Sequence, residues 1–273
     1  MTIRFTMLGS GAVRDNPRRA GPSQILQVGD QTLMFDCGRS AATSLAAAGG
    51  ACEAIDRLFL THLHFDHVVD LPYIVFTGWV KGREARLGIH GPVGTGDFVS
   101  RIIRPPFEQD IDSRVGHGKD LESLDPDVSE VAGAGEFLVD DGYRVSAAPV
   151  DHANMPALVY RVDAGDRRVV ITGDGKPDEG FTDFCRGADL LAVECSGTPE
   201  FLAEQPWGHW HLRPADIARI ATEAEVKRVM IKHLVIEDIT GDRTAPYRMA
   251  EQVRQGYGGE VIVAEDGLVV GLS

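Results

Sequence analysis

The chain has 273 residues, 43% hydrophobic and 25% charged, enough to bury a full core as one large α/β domain spanning 1–273. A formal net charge of −14 and a pI near 5.0 argue against a nonspecific polyanion binder. No apolar run approaches the roughly 18 residues that span a bilayer, and Met1-Thr2-Ile3-Arg4-Phe5 opens a strand rather than a signal peptide, so no membrane contact and a cytoplasmic location are expected.

Ile3 to Leu8 reads as a strand ending in the turn Gly9-Ser10-Gly11. No G-x-G-x-x-G helix follows, which excludes a dinucleotide fingerprint. Ser23 to Val28 and Thr32 to Asp36 form a hairpin across Gly29-Asp30, Ala41 to Ala48 is helical with a glycine stop at Gly49-Gly50, and Asp56 to Leu60 is the next strand. Residues 104–136 break this rhythm, with Pro105-Pro106 at their head and Gly133-Ala134-Gly135 at their tail. Long segments of that kind are functional or disordered. This one reads as a partly ordered lid, with Phe107 and His117 facing substrate, or as a surface excursion. Strands follow at Tyr143 to Val150, Ala157 to Val162, Arg168 to Thr172 and Leu190 to Glu194, with a helix near Glu179 to Cys185. Pro214 to Ala224 has a proline suited to a first helical turn and apolar Ile217, Ile220 and Ala221 at helical steps; Lys227 to Ile231 is a strand.

Two compositional features carry less. Cys37, Cys52, Cys185 and Cys195 show no CxxC spacing and read as reduced core residues. Residues 1–120 hold 13 basic and 13 acidic residues, so the acidic excess lies wholly in the second half. Arg14, Arg18, Arg19, Lys81, Arg83 and Arg86 could form a basic face in the first half or be scattered solvated charges.

The chemistry concentrates in His62-Leu63-His64-Phe65-Asp66-His67, directly after the apolar Leu58-Phe59-Leu60. In extended chain, residues two apart point the same way, so His62 and His64 can converge on one cation. Asp66 and His67 lie past the bend and can turn towards a second. Imidazole and carboxylate together suit Zn²⁺, with Mn²⁺ or Fe²⁺ as harder competitors.

That stretch resembles the HxHxDH signature of the metallo-β-lactamase superfamily. The superfamily implies further ligands at strand ends, and His152, Asp174 and His233 stand in those places. Asp174 could otherwise be a turn residue of Thr172-Gly173-Asp174-Gly175. Sequence pattern alone indicates mixed α/β; the resemblance implies a four-layer αββα sandwich. It also implies two divalent ions sharing a bridging hydroxide, one held by His62, His64 and His152, the other by Asp66, His67 and His233, with Asp174 between. Asp66 would also act as general base.

Gly208-His209-Trp210-His211, followed by the Pro214 helix, resembles the extra histidine motif of ribonuclease Z. Leu8-Gly9-Ser10-Gly11, Phe35-Asp36-Cys37-Gly38, His90-Gly91-Pro92 and Glu194 also match that branch. The resemblance makes His211 the residue that helps the leaving oxygen depart and Glu194 the group that orients it, so Asp66, His211 and Glu194 are the candidate catalytic residues. The long arm with which ribonuclease Z clamps tRNA falls between the counterparts of His152 and Asp174, where this chain has only a short hairpin. Arg39-Ser40 also replaces a usual acidic pattern. The expected substrate is therefore a small phosphodiester, and tRNA is disfavoured. Carboxylic esters, lactones and aryl sulfates on the same frame are the alternative, and an aromatic wall of Trp79, Trp207 and Trp210 would suit a ring-bearing one. A noncatalytic metal-binding protein is a weaker reading, and a homodimer stays open.

Overall fold

In the computed structural model, which describes residues 2–272, the alternating apolar segments assemble into two seven-stranded sheets. The first contains β1 (Ile3–Gly9), β2 (Ser23–Val28), β3 (Gln31–Phe35), β4 (Arg57–Phe59), β5 (Gly88–Pro92) and β6 (Asp127–Val131). The second contains β7 (Gly135–Asp140), β8 (Tyr143–Val150), β9 (Ala157–Ala164), β10 (Arg167–Thr172), β11 (Leu190–Glu194), β12 (Arg228–Lys232) and β13 (Glu260–Val263). The last strand, β14 (Val269–Gly271), returns to pair antiparallel with β1.

Both sheets follow one plan. β3 to β6 run parallel in the first and β10 to β13 in the second, while the remaining neighbours pair antiparallel. Side chains alternate between faces along a strand, and here both faces are covered. In β12, Met230 enters the core between the sheets, whereas Val229 and Ile231 pack outward with Ile217, Ala221, Met249 and Val253 of the helices Pro214–Glu223 and Ala245–Arg254. On the opposite outer face Met34, Leu58 and Ile89 meet Leu45 and Ile74 of the helices Ala41–Ala47 and Leu71–Val80. The result is the αββα sandwich. Its central layer includes Phe35, Phe59 and Tyr160, each wholly buried, and burying one such ring contributes about 1.5–3 kcal/mol.

Residues 104–136 contain the helix Glu108–Gly116 and β6, which extends the first sheet beside β5. Phe107 packs on Phe76 with ring centroids 4.8 Å apart, and His117 caps the end of that helix with Nδ1 on the Ser113 carbonyl. The helix near Glu179 to Cys185 contracts to Phe181–Phe184, because Asp178 accepts from the Gly180 amide and holds a turn before it.

One expectation needs correction. Trp79 belongs to no aromatic wall: it is wholly buried in the outer core of the first sheet, with its indole N–H on the Asp120 carbonyl. Of the six basic residues for which a common face or scattered charges stood open, five have partners within the chain. Arg18 and Arg19 pair with Glu237, Lys81 with Glu53 and Arg86 with Asp127, while Arg83 is buried against the Cys52 carbonyl. All four cysteines are free and buried. Among the described residues no helix is long and apolar enough to cross a membrane.

Candidate metal centre

Parallel strands present their C-terminal ends at one edge, the usual place for a site in α/β sheets. β4 leads there to His62, β8 to His152, β10 to Asp174 and β12 to His233. Two glycines allow these loops to close on each other. A Cβ at Gly38 would lie 2.1 Å from the Asp66 carbonyl oxygen, and one at Gly173 would lie 2.3 Å from the Thr61 hydroxyl. His233 itself sits in the left-handed region at φ 57°. A non-glycine residue costs on the order of 1 kcal/mol or more there, and such strain clusters at functional sites.

All seven side chains named from the sequence as candidate ligands meet in this edge, in three overlapping groups: His62, His64 and His152; His62, His67 and Asp174; Asp66, His67 and His233. Their spacing tests whether a cation fits. Donor atoms bound at about 2.0–2.1 Å around one tetrahedral ion lie about 3.3 Å apart. His64 Nδ1 is 3.1 Å from both His62 Nε2 and His152 Nε2. In the other group Asp66 Oδ2 lies 3.7 Å from His67 Nε2 and 3.6 Å from His233 Nε2, while Asp174 Oδ1 lies 3.6 Å and 3.3 Å from the same nitrogens. His67 Nε2, His233 Nε2 and Asp174 Oδ1 are buried without any hydrogen-bond partner, an expensive arrangement unless something binds them. The residues present fit divalent cations.

Electrostatics agrees with that fit in the first group. Burial pushes His62, His64 and His152 down, His152 to about 4, so their nitrogens offer lone pairs at neutral pH. His67 behaves differently. Burial opposes its charge, but Asp36 and Asp174 outweigh burial and hold it protonated up to about 10 when no cation competes. A cation held at His67 Nε2 would have to displace that proton, which would link its uptake to pH.

Several residues that the sequence reading left without a role support these side chains. Asp36, wholly buried after β3, accepts from the Thr61 amide at 2.8 Å and the Thr61 hydroxyl at 2.9 Å, and its Oδ2 lies 2.9 Å from His67 Nδ1. A carboxylate on the far nitrogen orients a ligand imidazole. Its signal was a charged residue at the end of an apolar strand. Lys232, buried beside Glu194 in register, has no partner for its amine.

His211 stands at the mouth of the centre, its ring 5.8 Å from that of His152 and 6.3 Å from that of His233. Glu194 Oε1 lies 3.3 Å from His211 Nδ1 and accepts from the Leu212 amide at 2.8 Å. Burial disfavours a charged His211, yet Glu194 overrides it and lifts the imidazole to about 9. Trp207 packs edge-on against His211 at 5.2 Å, whereas Trp210 packs on His209 at 3.9 Å.

A family model described as Anti-Pycsar protein Apyc1 matches residues 3–198. Ribonuclease Z of Mycobacterium sp. (strain KMS) is 34% identical over 240 residues, covering 86% of this chain and 78% of that protein. The chain belongs to this family, within the ribonuclease Z-like branch of the metallo-β-lactamase superfamily. Solved structures of the superfamily share its fold. The metallo-β-lactamase fold protein YhfI from Bacillus subtilis superposes with a TM-score of 0.80 at 20% identity, over 99% of each chain. Human tRNase Z, short form, gives 0.76 at 24% identity over 98% of each. As a ribonuclease Z-like protein the chain is a metal-dependent hydrolase.

Proposed function

We propose that this chain is a dinuclear phosphodiesterase acting on a small or short substrate, with zinc as the favoured metal and manganese or iron as competitors. The observation that carries the reading is the two sets of converging donor atoms, each spaced as a tetrahedral ion requires. His62, His64 and His152 would hold one ion, Asp66, His67 and His233 the other, and Asp174 stands where it can serve both. Bound divalent cations supply Lewis-acid polarisation of the ester and a water acidified for attack. Asp66, whose Oδ2 lies 3.7 Å from His67 Nε2 and 3.6 Å from His233 Nε2, would be the carboxylate that accepts the proton of the attacking water. Asp36 keeps the lone pair of His67 turned into the centre. His211, kept protonated by Glu194, gives its proton to the departing oxygen.

Relatives named ribonuclease Z favour a phosphodiester as the bond cleaved. Size is argued from this chain. Between His152 and Asp174 the backbone makes only the β9–β10 hairpin, and Arg18 and Arg19 are held in ion pairs with Glu237. A tRNA body therefore lacks a clamp. The reading also takes the chain as one hydrolase domain in which 104–136 is a surface excursion or lid. Metal analysis, combined with turnover of bis-nitrophenyl phosphate, nitrophenyl sulfate and nitrophenyl acetate, tests it. Close to two ions per chain and preference for the diester are expected. One ion or fewer after growth with added zinc and manganese sinks the dinuclear reading, and preference for acetate or sulfate sinks the substrate class.

A further inference from the structure

Ser196, two residues beyond the end of β11, is wholly buried and has three polar partners. Its hydroxyl oxygen lies 3.0 Å from Glu194 Oε2, 3.1 Å from His211 Nδ1 and 3.2 Å from His233 Nδ1. A serine hydroxyl has one hydrogen to donate and two lone pairs. A carboxylate only accepts, so the hydrogen goes to Glu194 and the lone pairs remain for the two imidazoles. Each imidazole must then carry hydrogen on Nδ1. For His233 this leaves Nε2, the atom 3.6 Å from Asp66 and 3.3 Å from Asp174, as the nitrogen that can ligate. For His211, whose Nδ1 also faces Glu194 Oε1 at 3.3 Å, it reinforces the same placement and leaves Nε2 as the nitrogen that meets substrate.

We infer that Ser196 is a positioning residue that sets the hydrogen placement of His233 and His211 together, so that filling of the second ion site and proton delivery to the leaving group depend on one hydroxyl. Nothing local in the sequence announces this. The two rings come from segments 22 residues apart, and both must turn inward before Ser196 can lie between them. The inference rests on the dinuclear reading and adds to it an asymmetry: Ser196 touches one ligand group and not the other. His62, His64 and His152 share no hydrogen bond with it.

The test compares full-length wild type, Ser196→Ala and Ser196→Thr in zinc titrations against a competing chelator, and in turnover of an alkyl and a nitrophenyl diester. Loss of an outer hydrogen bond to a ligand histidine costs 10–100-fold in metal affinity. Ser196→Ala should show that loss at one of two sites, leave the other within about threefold, and lower alkyl-diester turnover more than nitrophenyl-diester turnover. Ser196→Thr, which keeps the hydroxyl, should restore both properties. A structural role alone would lower thermal stability and both affinities together. Unchanged affinities in Ser196→Ala, equal weakening of both sites, or a folded Ser196→Thr no better than Ser196→Ala overturns the inference. If wild type itself holds fewer than two ions, the dinuclear reading fails instead. The leaving-group comparison then decides on Ser196, since equal losses on both diesters would overturn its role at His211.

Discussion

His90 offers a test of the interior that leaves the metal centre untouched. It lies in β5, is 6% exposed, stacks on Phe59 at 5.0 Å and lies 5.7 Å from Phe137, and both its ring nitrogens are buried without partners. Burial, aided by the Arg57 charge, pushes it down to about 4. In the unfolded chain a histidine titrates near 6.5. Above that pH neither state binds the proton and stability is unaffected. As pH falls from about 6.5 towards 4, the unfolded chain takes up a proton that the folded chain refuses, and stability drops. The gap is about two and a half pH units at about 1.4 kcal/mol each, so about 3 kcal/mol is lost by pH 4. His90→Phe keeps a flat ring between the same neighbours and removes the titration. Urea unfolding of both proteins from pH 8 to pH 4 should show the variant gaining on wild type by about 3 kcal/mol across that range. Protonation of the metal ligands affects both proteins alike and cancels in the difference. A difference that stays constant within about 1 kcal/mol would refute the argument, because His90 would then reach its proton in the folded state.

On the proposed dinuclear mechanism, His211→Ala should keep both ions and lower turnover about 10²–10⁴-fold, more for an alkyl than for a nitrophenyl leaving group. Since the proposed mechanism needs a protonated His211, which is lifted to about 9, wild-type turnover of alkyl diesters should fall as pH rises through about 9, and the variant should lack that limb. Asp66→Asn should lower turnover and weaken one ion, read by metal analysis after dialysis; a fully loaded variant with wild-type rate would remove Asp66 from both roles. For a small diester kcat/KM should change less than about twofold between about 50 and 200 mM salt, whereas a binder making many phosphate contacts loses affinity steeply over that range. Efficient, accurate trimming of a precursor tRNA at physiological salt would contradict the small-substrate reading.

The parts of this fold that were legible in the sequence are those whose signal is local. Short apolar runs such as Ser23–Val28 and Leu190–Glu194 have the bounds read from the sequence. The spacing within His62 to His67 marked one loop as a cluster of donors. The helix Leu71–Val80 gave no such signal, because Leu-Pro-Tyr-Ile-Val-Phe-Thr-Gly-Trp-Val is apolar nearly all round and has no polar face to set a period. β6 was hidden among the acidic residues and prolines of 104–136, since an edge strand with one covered face needs little hydrophobicity. Ser196 was silent for another reason. It acts through side chains brought to it by tertiary structure, and no spacing along the chain encodes such a meeting.

The donor groups draw unequally on the two sheets. Each takes two side chains from the loop after β4 and one from the second sheet's edge: His152, Asp174 or His233. A cation gripped in this way acts as a rivet through a seam. The gap it spans is set well behind it, by the ring stack of Phe35, Phe59 and Tyr160, and by the Tyr160 hydroxyl, which reaches across to the Leu60 carbonyl at 2.7 Å. Trimming one of those rings would let the layers settle closer, and the error would reach the rim as ligands that no longer meet around one point. Residues far from any metal thus act as gauge blocks for it, and substitutions that seem purely structural should be screened for lost ions before they are scored for lost stability.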